Sequence, residues 1–240
     1  MSKRRATTQK SPATEPSLVR TNTRIASRAS SARVAAVANS PVAIRALEPD
    51  DWRTVERLFG ANGACGGCWC MWWRVEKGGK TWEEAKGAKN RARMQRLVRH
   101  GTVHAVLAFD GDEPIGWCSF GPRTSFPRLV NSRVLEREAS DDTWSIVCFF
   151  VPAKQRGKGL ATRMLRAASE RAFELGARAI EGYPVVPRSK TERMPAAFAW
   201  TGVPAVFEAA GYTRTRRPRG MRPIYTLESS RLRSRPRRHE

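Results

Sequence analysis

A chain of 240 residues, 40% of them hydrophobic, is long enough for one domain with a substantial core plus tails. No stretch approaches the roughly 20 uncharged apolar residues of a membrane helix, which excludes a spanning helix and leads us to expect a soluble protein. Lys and Arg outnumber Asp and Glu by 44 to 22, a formal charge of +22 that would tend to repel a polycationic ligand.

The charge is uneven. Residues 1–40 hold eight cations against one acid, and residues 229–240 hold five against one. Both tails lack the apolar content that would offset the entropy of ordering, so we expect basic disordered extensions around one folded domain, 41–228. A basic arm can bind nucleic acid or an anionic surface, and the amino-terminal one has the composition of an organellar transit peptide. It has no apolar segment of the kind a secretory signal carries. The middle of the chain is itself basic, with 31 cations against 20 acids, which favours an anionic ligand on the folded domain. The cysteines are Cys65, Cys68, Cys70, Cys118 and Cys148. An odd number without a secretory signal points to free thiols in a reducing, cytoplasmic setting.

In chain order, "VAIRALEP" (42–49) reads as a first strand, with Asp50 or Asp51 capping a helix through Phe59. The stretch "GANGACGGCWCMWWR" (60–74) crowds glycine, cysteine and tryptophan together. Thr81 and Glu84 form a capping box for a helix running to Arg99. "TVHAVLAF" and "IGWCSFG" flank the turn "DGDEP" and predict a hairpin. Residues 122–142 read as irregular. "WSIVCFFV" (144–151) is apolar on both faces, as in a central buried strand. From Gly159 to Leu175, apolar residues recur at helical spacing, and Gly176 supplies a stop. "ARAIEGYPV" predicts another strand, residues 203–210 a short helix, and a strand follows from Tyr212 or from Arg222. Hairpin strands mixed with crossover helices imply a mixed α/β sheet rather than a doubly wound parallel one.

The turn "QRGKGLATRML" (155–165) joins the central strand to the long helix and carries the chemistry. A phosphate loop of the P-loop kind is excluded, because Gly159 stands where a Ser or Thr must hold magnesium. A dinucleotide fingerprint, with Glu181 as ribose ligand, is disfavoured by the five residues between Val151 and Gly157. Too little chain also remains for further βα units. A glycine-bearing helix start leaves the amides of Gly157 to Ala161 free to meet a pyrophosphate, with Arg156 and Lys158 adding charge.

The stretch "VPAKQRGKGLATRMLRAA" resembles the central motif of the GNAT N-acetyltransferase superfamily, with Arg156, Gly159 and Ala161 on its signature positions. "PAVFEAAGYTRT" (204–215) resembles a later segment of the same family. The resemblance extends more weakly over 42–227. It implies a mostly antiparallel mixed sheet with splayed strands, flanked by helices, and acetyl-CoA as co-substrate. By the resemblance, Phe149, Phe150 and Val151 offer backbone to the pantetheine arm, while Arg156, Gly157, Lys158, Gly159, Leu160 and Ala161 hold the pyrophosphate. A primary amine attacks the thioester directly, and an N–H near Phe149 stabilises the oxyanion. The tyrosine that many relatives use to protonate the CoA thiolate is matched here by Phe207, so that task falls to water or Tyr183. Glu181 is the first candidate for general base, with Asp141 and Asp142 as further candidates.

Cys65-x-x-Cys68-x-Cys70 has part of a zinc spacing, but a closed site wants four ligands, so no metal is expected and the cysteines are read as packing. Cys148, midway along an apolar strand, is likewise read as packing rather than as an acyl-carrying nucleophile. "CWCMWWR" resembles a segment of a subgroup of bacterial GNAT proteins whose acceptors are uncharacterised. By position it forms one wall of the acceptor pocket, with Trp69, Trp72 and Trp73 lining it and Arg74 at its mouth. Two other functions stay open at this point: an acyl-CoA sensor that has lost catalysis, and a nucleic-acid binder acting through the basic tails. The protein is expected to be a monomer or homodimer.

Overall fold

The computed structural model describes residues 42–76, 80–135, 142–186, 199–216 and 222–230. The amino-terminal extension 1–40, residues 231–240 of the carboxy-terminal one, and Asp141 lie outside these residues. The strands are β1 (Ala43–Ala46), β2 (His104–Asp110), β3 (Glu113–Pro122), β4 (Thr143–Phe150), β5 (Ala179–Gly182), β6 (Thr213–Arg216) and β7 (Ile224–Glu228). They form one sheet in the order β1-β2-β3-β4-β5-β7-β6. Every neighbouring pair is antiparallel except β4 with β5, so the sheet is mixed and mostly antiparallel. The helices are α1 (Trp52–Phe59), α2 (Lys80–Ala85), α3 (Ala88–Arg99), α4 (Pro127–Val130), α5 (Leu160–Glu174) and α6 (Pro204–Ala209). No helix among the described residues is long and apolar enough to cross a membrane.

Two cores lie on opposite faces of the sheet. On one face, α5 buries Leu160, Met164, Leu165, Ala168 and Ala172, the residues whose spacing predicts its inner stripe, against Ile115, Ile146 and Ile180. On the other, α1, α3 and the Cys–Trp segment bury Val55, Phe59, Trp69, Met94 and Val98 against Leu107 and Trp117.

Three local expectations change. The helix predicted from Thr81 to Arg99 is two helices, because the chain turns at Gly87 (φ 74°), whose N–H donates to the Gly67 carbonyl at 2.9 Å. The contact ties the Cys–Trp segment to the break between α2 and α3. Asp51 does not cap α1 through its side chain. Its carboxylate accepts from the Glu48 N–H at 2.8 Å and from both ends of the Arg45 guanidinium at 2.6 and 2.7 Å. The segment after β3, expected to be irregular, carries a 3-10 turn at Arg123–Ser125 and the short α4. Both candidate final strands form, as β6 and β7, and pair with each other.

Two irregularities in β4 shape the site. Ser119 pairs with Cys148 while the next residue, Phe120, pairs with Ile146, so β4 bulges by one residue at Val147. A bulge of this kind reverses the in-out alternation beyond it. Ile146 accordingly faces the α5 core, whereas Val147 and Cys148 both face the opposite side. The pairing of β4 with β5 also stops at Ile146–Gly182, leaving Cys148–Phe150 paired only with β3 and the bulged Val147 paired with neither strand. Residues 199–202 enter that gap: the Phe149 N–H donates to the Trp200 carbonyl at 2.7 Å and the Val185 N–H to the Gly202 carbonyl at 3.0 Å.

Phe207 on α6 wedges under the end of β5. Its ring is fully buried, edge-on to Phe149 at 6.2 Å and to Tyr212 at 5.3 Å, and a Cβ on Gly182 would overlap it. Overpacking a filled core costs about 1–3 kcal/mol. Gly182→Ala is therefore expected to lower unfolding stability by that amount in urea titrations, and an unchanged midpoint would remove the wedge from this account.

Candidate functional site

The gap leads into an open cavity of about 1050 Å³, bounded on one side by the turn before α5 and on the other by the Cys–Trp segment. The turn is built by a left-handed backbone at Gly157 (φ 76°) and Gly159 (φ 74°), a conformation that disfavours side chains. No heavy atom lies within 4 Å of a Cβ built on either glycine, so the space beside the backbone is open to a ligand. Among the described residues, the amides of Gly157 to Ala161 donate to no backbone acceptor, as expected before and within the first turn of a helix. Such a helix start suits a phosphate or pyrophosphate. Arg156 Nε donates to the Val151 carbonyl at 2.9 Å and braces the loop, while Lys158 Nζ donates to Gln155 Oε1 at 3.1 Å.

Phe149, Phe150, Val151, Arg156, Gly157, Gly159, Leu160 and Ala161 all line this cavity, and Lys158 does not. The Phe149 N–H is already bonded to Trp200, so the oxyanion donor implied by the resemblance is engaged within the protein. Of the expected acceptor wall, only Trp72 lines the cavity. Trp69 is turned into the core, 5.7 Å from Trp52 and 5.8 Å from Phe59. Trp73 is buried beneath the wall, with its Nε1–H donated to the Val147 carbonyl at 3.1 Å. Arg74 lies below the surface over the Phe126 ring, 4.9 Å from its centroid, and donates to Ser119 Oγ at 3.3 Å. The wall is completed by Trp82, Trp200 and Arg222, which sequence reasoning passed over. Trp72 stands edge-on to Trp82 at 5.1 Å and to Trp200 at 6.3 Å.

Glu181 and Tyr183, expected as base and acid, do not line the cavity. Both are fully buried: the Tyr183 hydroxyl donates to Glu181 Oε2 at 2.9 Å and sits 2.9 Å from Ser145 Oγ. Burial first, and then the neighbouring carboxylate, push the phenol above its ordinary range, so Tyr183 keeps its proton. The pair sits in a closed polar cluster below the point where β4 and β5 part. Asp142, the other described candidate, approaches Arg178 at 3.1 Å.

The unforeseen feature is a sulfur cluster in the cavity wall, made by Cys68, Cys70 and Cys148. Trp69 (φ 50°) and Cys70 (φ 55°) are consecutive non-glycine residues in the left-handed region, where such strain costs on the order of 1–3 kcal/mol per residue. Burial of Trp69 holds this kink and directs Cys70 toward β3 and β4. Trp117 Nε1–H donates to Cys70 Sγ at 3.4 Å. Hydrogen bonding from Cys148 lowers the Cys70 thiol most, the Arg74 charge and Trp117 add to it, and the result is about 7 despite burial. Cys148 moves the other way, well above the ordinary thiol range, because of the neighbouring Cys70 and desolvation, and its own thiol donates to the Phe149 carbonyl at 3.9 Å. Burial and the neighbouring Cys70 also raise Cys68, to about 11, while Cys118 rises well above its usual range. Among the described residues, no three His, Cys, Asp or Glu side chains come together in a metal-holding arrangement.

Residues 69–188 match the family model of the acetyltransferase (GNAT) family, and the chain belongs to that family; it is an acyltransferase. Similar solved structures include the aminoglycoside acetyltransferase AAC(6')-Ib in complex with coenzyme A and kanamycin, at 20% identity and a TM-score of 0.47, with 81% of this chain and 100% of that one covered. An N-acetyltransferase from Staphylococcus aureus Mu50 is 13% identical, with 79% and 99% covered and a TM-score of 0.46. The PaiA N-acetyltransferase from Thermoplasma acidophilum, in complex with coenzyme A, is 14% identical, with 79% and 99% covered and a TM-score of 0.46. No curated protein matches the sequence.

The sulfur geometry predicts selective chemistry. Cys70 is expected to react with iodoacetamide at a rate that rises through a midpoint near pH 7, with buried Cys118 and the cavity-lining but high-pKa Cys148 unreactive until much more alkaline pH. Arg74→Met removes a positive charge beside the thiolate and is expected to move that midpoint upward. Peptide mapping of the alkylated protein reads both, and a Cys70 midpoint no lower than that of Cys68 would contradict the arrangement.

Proposed function

We propose that the protein is an acetyl-CoA-dependent N-acetyltransferase that acetylates a primary amine. The observation that carries this reading is the cavity that runs from the open glycine turn before α5, past the parting of β4 from β5, to the Trp72–Trp82–Trp200 wall. Gly157, Gly159, Leu160 and Ala161 would take the pyrophosphate on their amides, with Arg156 adding charge. Phe150 and Val151, which line the cavity beyond the Phe149–Trp200 bond, would meet the pantetheine arm. The apolar wall would receive the amine, with Arg222 at its edge. Bound acetyl-CoA supplies the activated acetyl group; in the products the amine has become an amide and CoA a thiol. Membership of the acetyltransferase (GNAT) family supports the reading.

Residues 41–228 form the transferase domain in this proposal, with the basic stretches 1–40 and 229–240 outside it. The five free cysteines favour a reducing, cytoplasmic setting. The acceptor is sought by a thermal-shift screen of acyl-CoAs, followed by an amine panel with CoA thiol release as readout. No stabilisation by any acyl-CoA would overturn the reading.

Gly159→Glu places a carboxylate in the open space beside the helix start, where it clashes with and repels a pyrophosphate. Calorimetry is expected to show acetyl-CoA binding lost in this variant while the far-UV spectrum is kept. Binding equal to that of the unaltered protein would sink the loop assignment.

A further inference from the structure

Of the described residues that line the cavity, Lys86, Arg156 and Arg222 are cationic and none is Asp or Glu. Two of these cations have partners. Lys86 Nζ is held by the Glu83 carboxylate at 2.7 and 2.9 Å, and Arg156 belongs to the glycine turn, where its Nε donates to the Val151 carbonyl. Arg222 is different. It is half-buried beside Trp200, its guanidinium carbon 5.7 Å from the centroid of the indole. Among the described residues no carboxylate lies within ion-pair distance of it. Burial draws its guanidinium below the ordinary arginine range. A second cation adds to the same wall without lining it: the Arg128 guanidinium carbon lies 3.7 Å from the centroid of the Trp72 ring, and its Nη1 is buried with no hydrogen-bond partner. The tryptophan end of the cavity is therefore apolar in surface and positive in field.

A charge partly withdrawn from water and lacking a counter-charge gains most from a ligand of opposite sign. A guanidinium suits a carboxylate in particular, because it can donate two parallel N–H bonds to the two oxygens. A polycation meets the opposite situation, since each further ammonium enters a positive wall with no lining carboxylate to receive it. The same field disfavours the ammonium form of an incoming amine, which has to lose a proton before it attacks. The indoles of Trp72, Trp82 and Trp200, set edge-on to one another at 5.1 and 6.3 Å, offer flat apolar surface to the rest of the molecule.

We propose that the acceptor is a primary amine with a carboxylate on an aromatic body, the chemistry of an aromatic amino acid, its ring against the tryptophan wall and its carboxylate on Arg222. This assignment rests on the acetyl-CoA reading and names the substrate class for it. The indoles select the flat apolar body. Arg222 selects the anion, while Arg156 and the glycine turn keep to the pyrophosphate, so the two anionic groups in the cavity have separate cations.

The test begins with calorimetric titration of the full-length protein with acetyl-CoA. Initial rates of CoA thiol release are then compared for L-tryptophan, L-phenylalanine, their decarboxylated counterparts tryptamine and phenethylamine, glycine, spermidine and kanamycin. The two aromatic amino acids are expected to show a kcat/KM at least about tenfold above that of the amines without the carboxylate, as loss of a hydrogen bond to a charged group predicts. They are also expected to exceed glycine, with spermidine and kanamycin releasing no CoA above background. Arg222→Met is expected to raise KM for L-tryptophan at least about tenfold, with kcat and acetyl-CoA affinity little changed, and to erase the preference over tryptamine. Arg222→Lys is expected to restore part of that preference. The panel on the unaltered chain decides the matter even if both variants fold poorly. Acetyl-CoA binding accompanied by equal or faster turnover of tryptamine or of either polycation, or by no turnover of either aromatic amino acid, overturns the assignment and leaves the proposed function standing. An Arg222→Met variant whose only loss is in acetyl-CoA affinity does the same, because it puts that cation on the coenzyme. Absence of acetyl-CoA binding overturns both.

Discussion

The shape of this molecule depends on what happens to β4 halfway along its length. A parallel pair of strands has no local turn to set its register, so β4 and β5 rely on their shared hydrogen bonds and on what packs around them. Those bonds end at Ile146 and Gly182. Phe207 is the physical reason the strands do not close again, since its ring fills the volume under Gly182 and braces Phe149. The freed edge of β4 is then met at Phe149 by the Trp200 carbonyl rather than by another strand, while the Gly202 carbonyl is met by the Val185 N–H beyond β5. A buried donor left without a partner would be costly, so the 199–202 segment and the gap require each other. The cavity is the space that this arrangement leaves between the turn before α5 and the tryptophan wall.

The bulge at Val147 acts on the same strand by a different route. It shifts the alternation by one residue, so Phe149 packs toward α5 while Cys148 faces the Cys–Trp segment. Without it, Cys148 would share the side of Ile146 and the sulfur cluster would not assemble. The cluster also needs the left-handed Trp69–Cys70 pair, whose strain is compensated by the packing of Trp69 on Trp52 and Phe59. A tryptophan that the sequence suggests as a pocket residue thus serves as the anchor that directs its cysteine neighbour.

Phe207 illustrates how a departure from a family pattern acquires a physical meaning. As a candidate acid it is a loss, because a phenyl ring donates no proton. As a wedge it is required, because a fully buried hydroxyl in the same place would need a partner of its own. The proton chemistry then has to be sought elsewhere in the cavity. Glu181 and Tyr183 are poor places to seek it: they hold each other and Ser145 in a closed cluster that ties β4 to β5 at the parting point.

The strand, turn and helix that line one side of the cavity were legible in the sequence because their determinants are local. A buried strand, a turn with Gly157 and Gly159, and a helix with an apolar stripe from Leu160 to Ala172 follow one another within a single short stretch, and each has its own signal. The hairpin of β2 and β3 and a mixed sheet were legible for the same reason, whereas the mostly antiparallel order was implied by the family resemblance. The tryptophan side of the cavity was not legible. Which of Trp69, Trp72 and Trp73 faces the cavity depends on two left-handed residues whose strain is held by distant contacts, and composition does not encode them. That Trp82, Trp200 and Arg222 join Trp72 depends on contacts between segments far apart in the chain. Local sequence by itself determined the strand–turn–helix that presents amides to an anion. Only the tertiary structure decided that Cys70 and Cys148 meet across the cavity wall, because a one-residue bulge and a parted strand pair set the direction of their side chains.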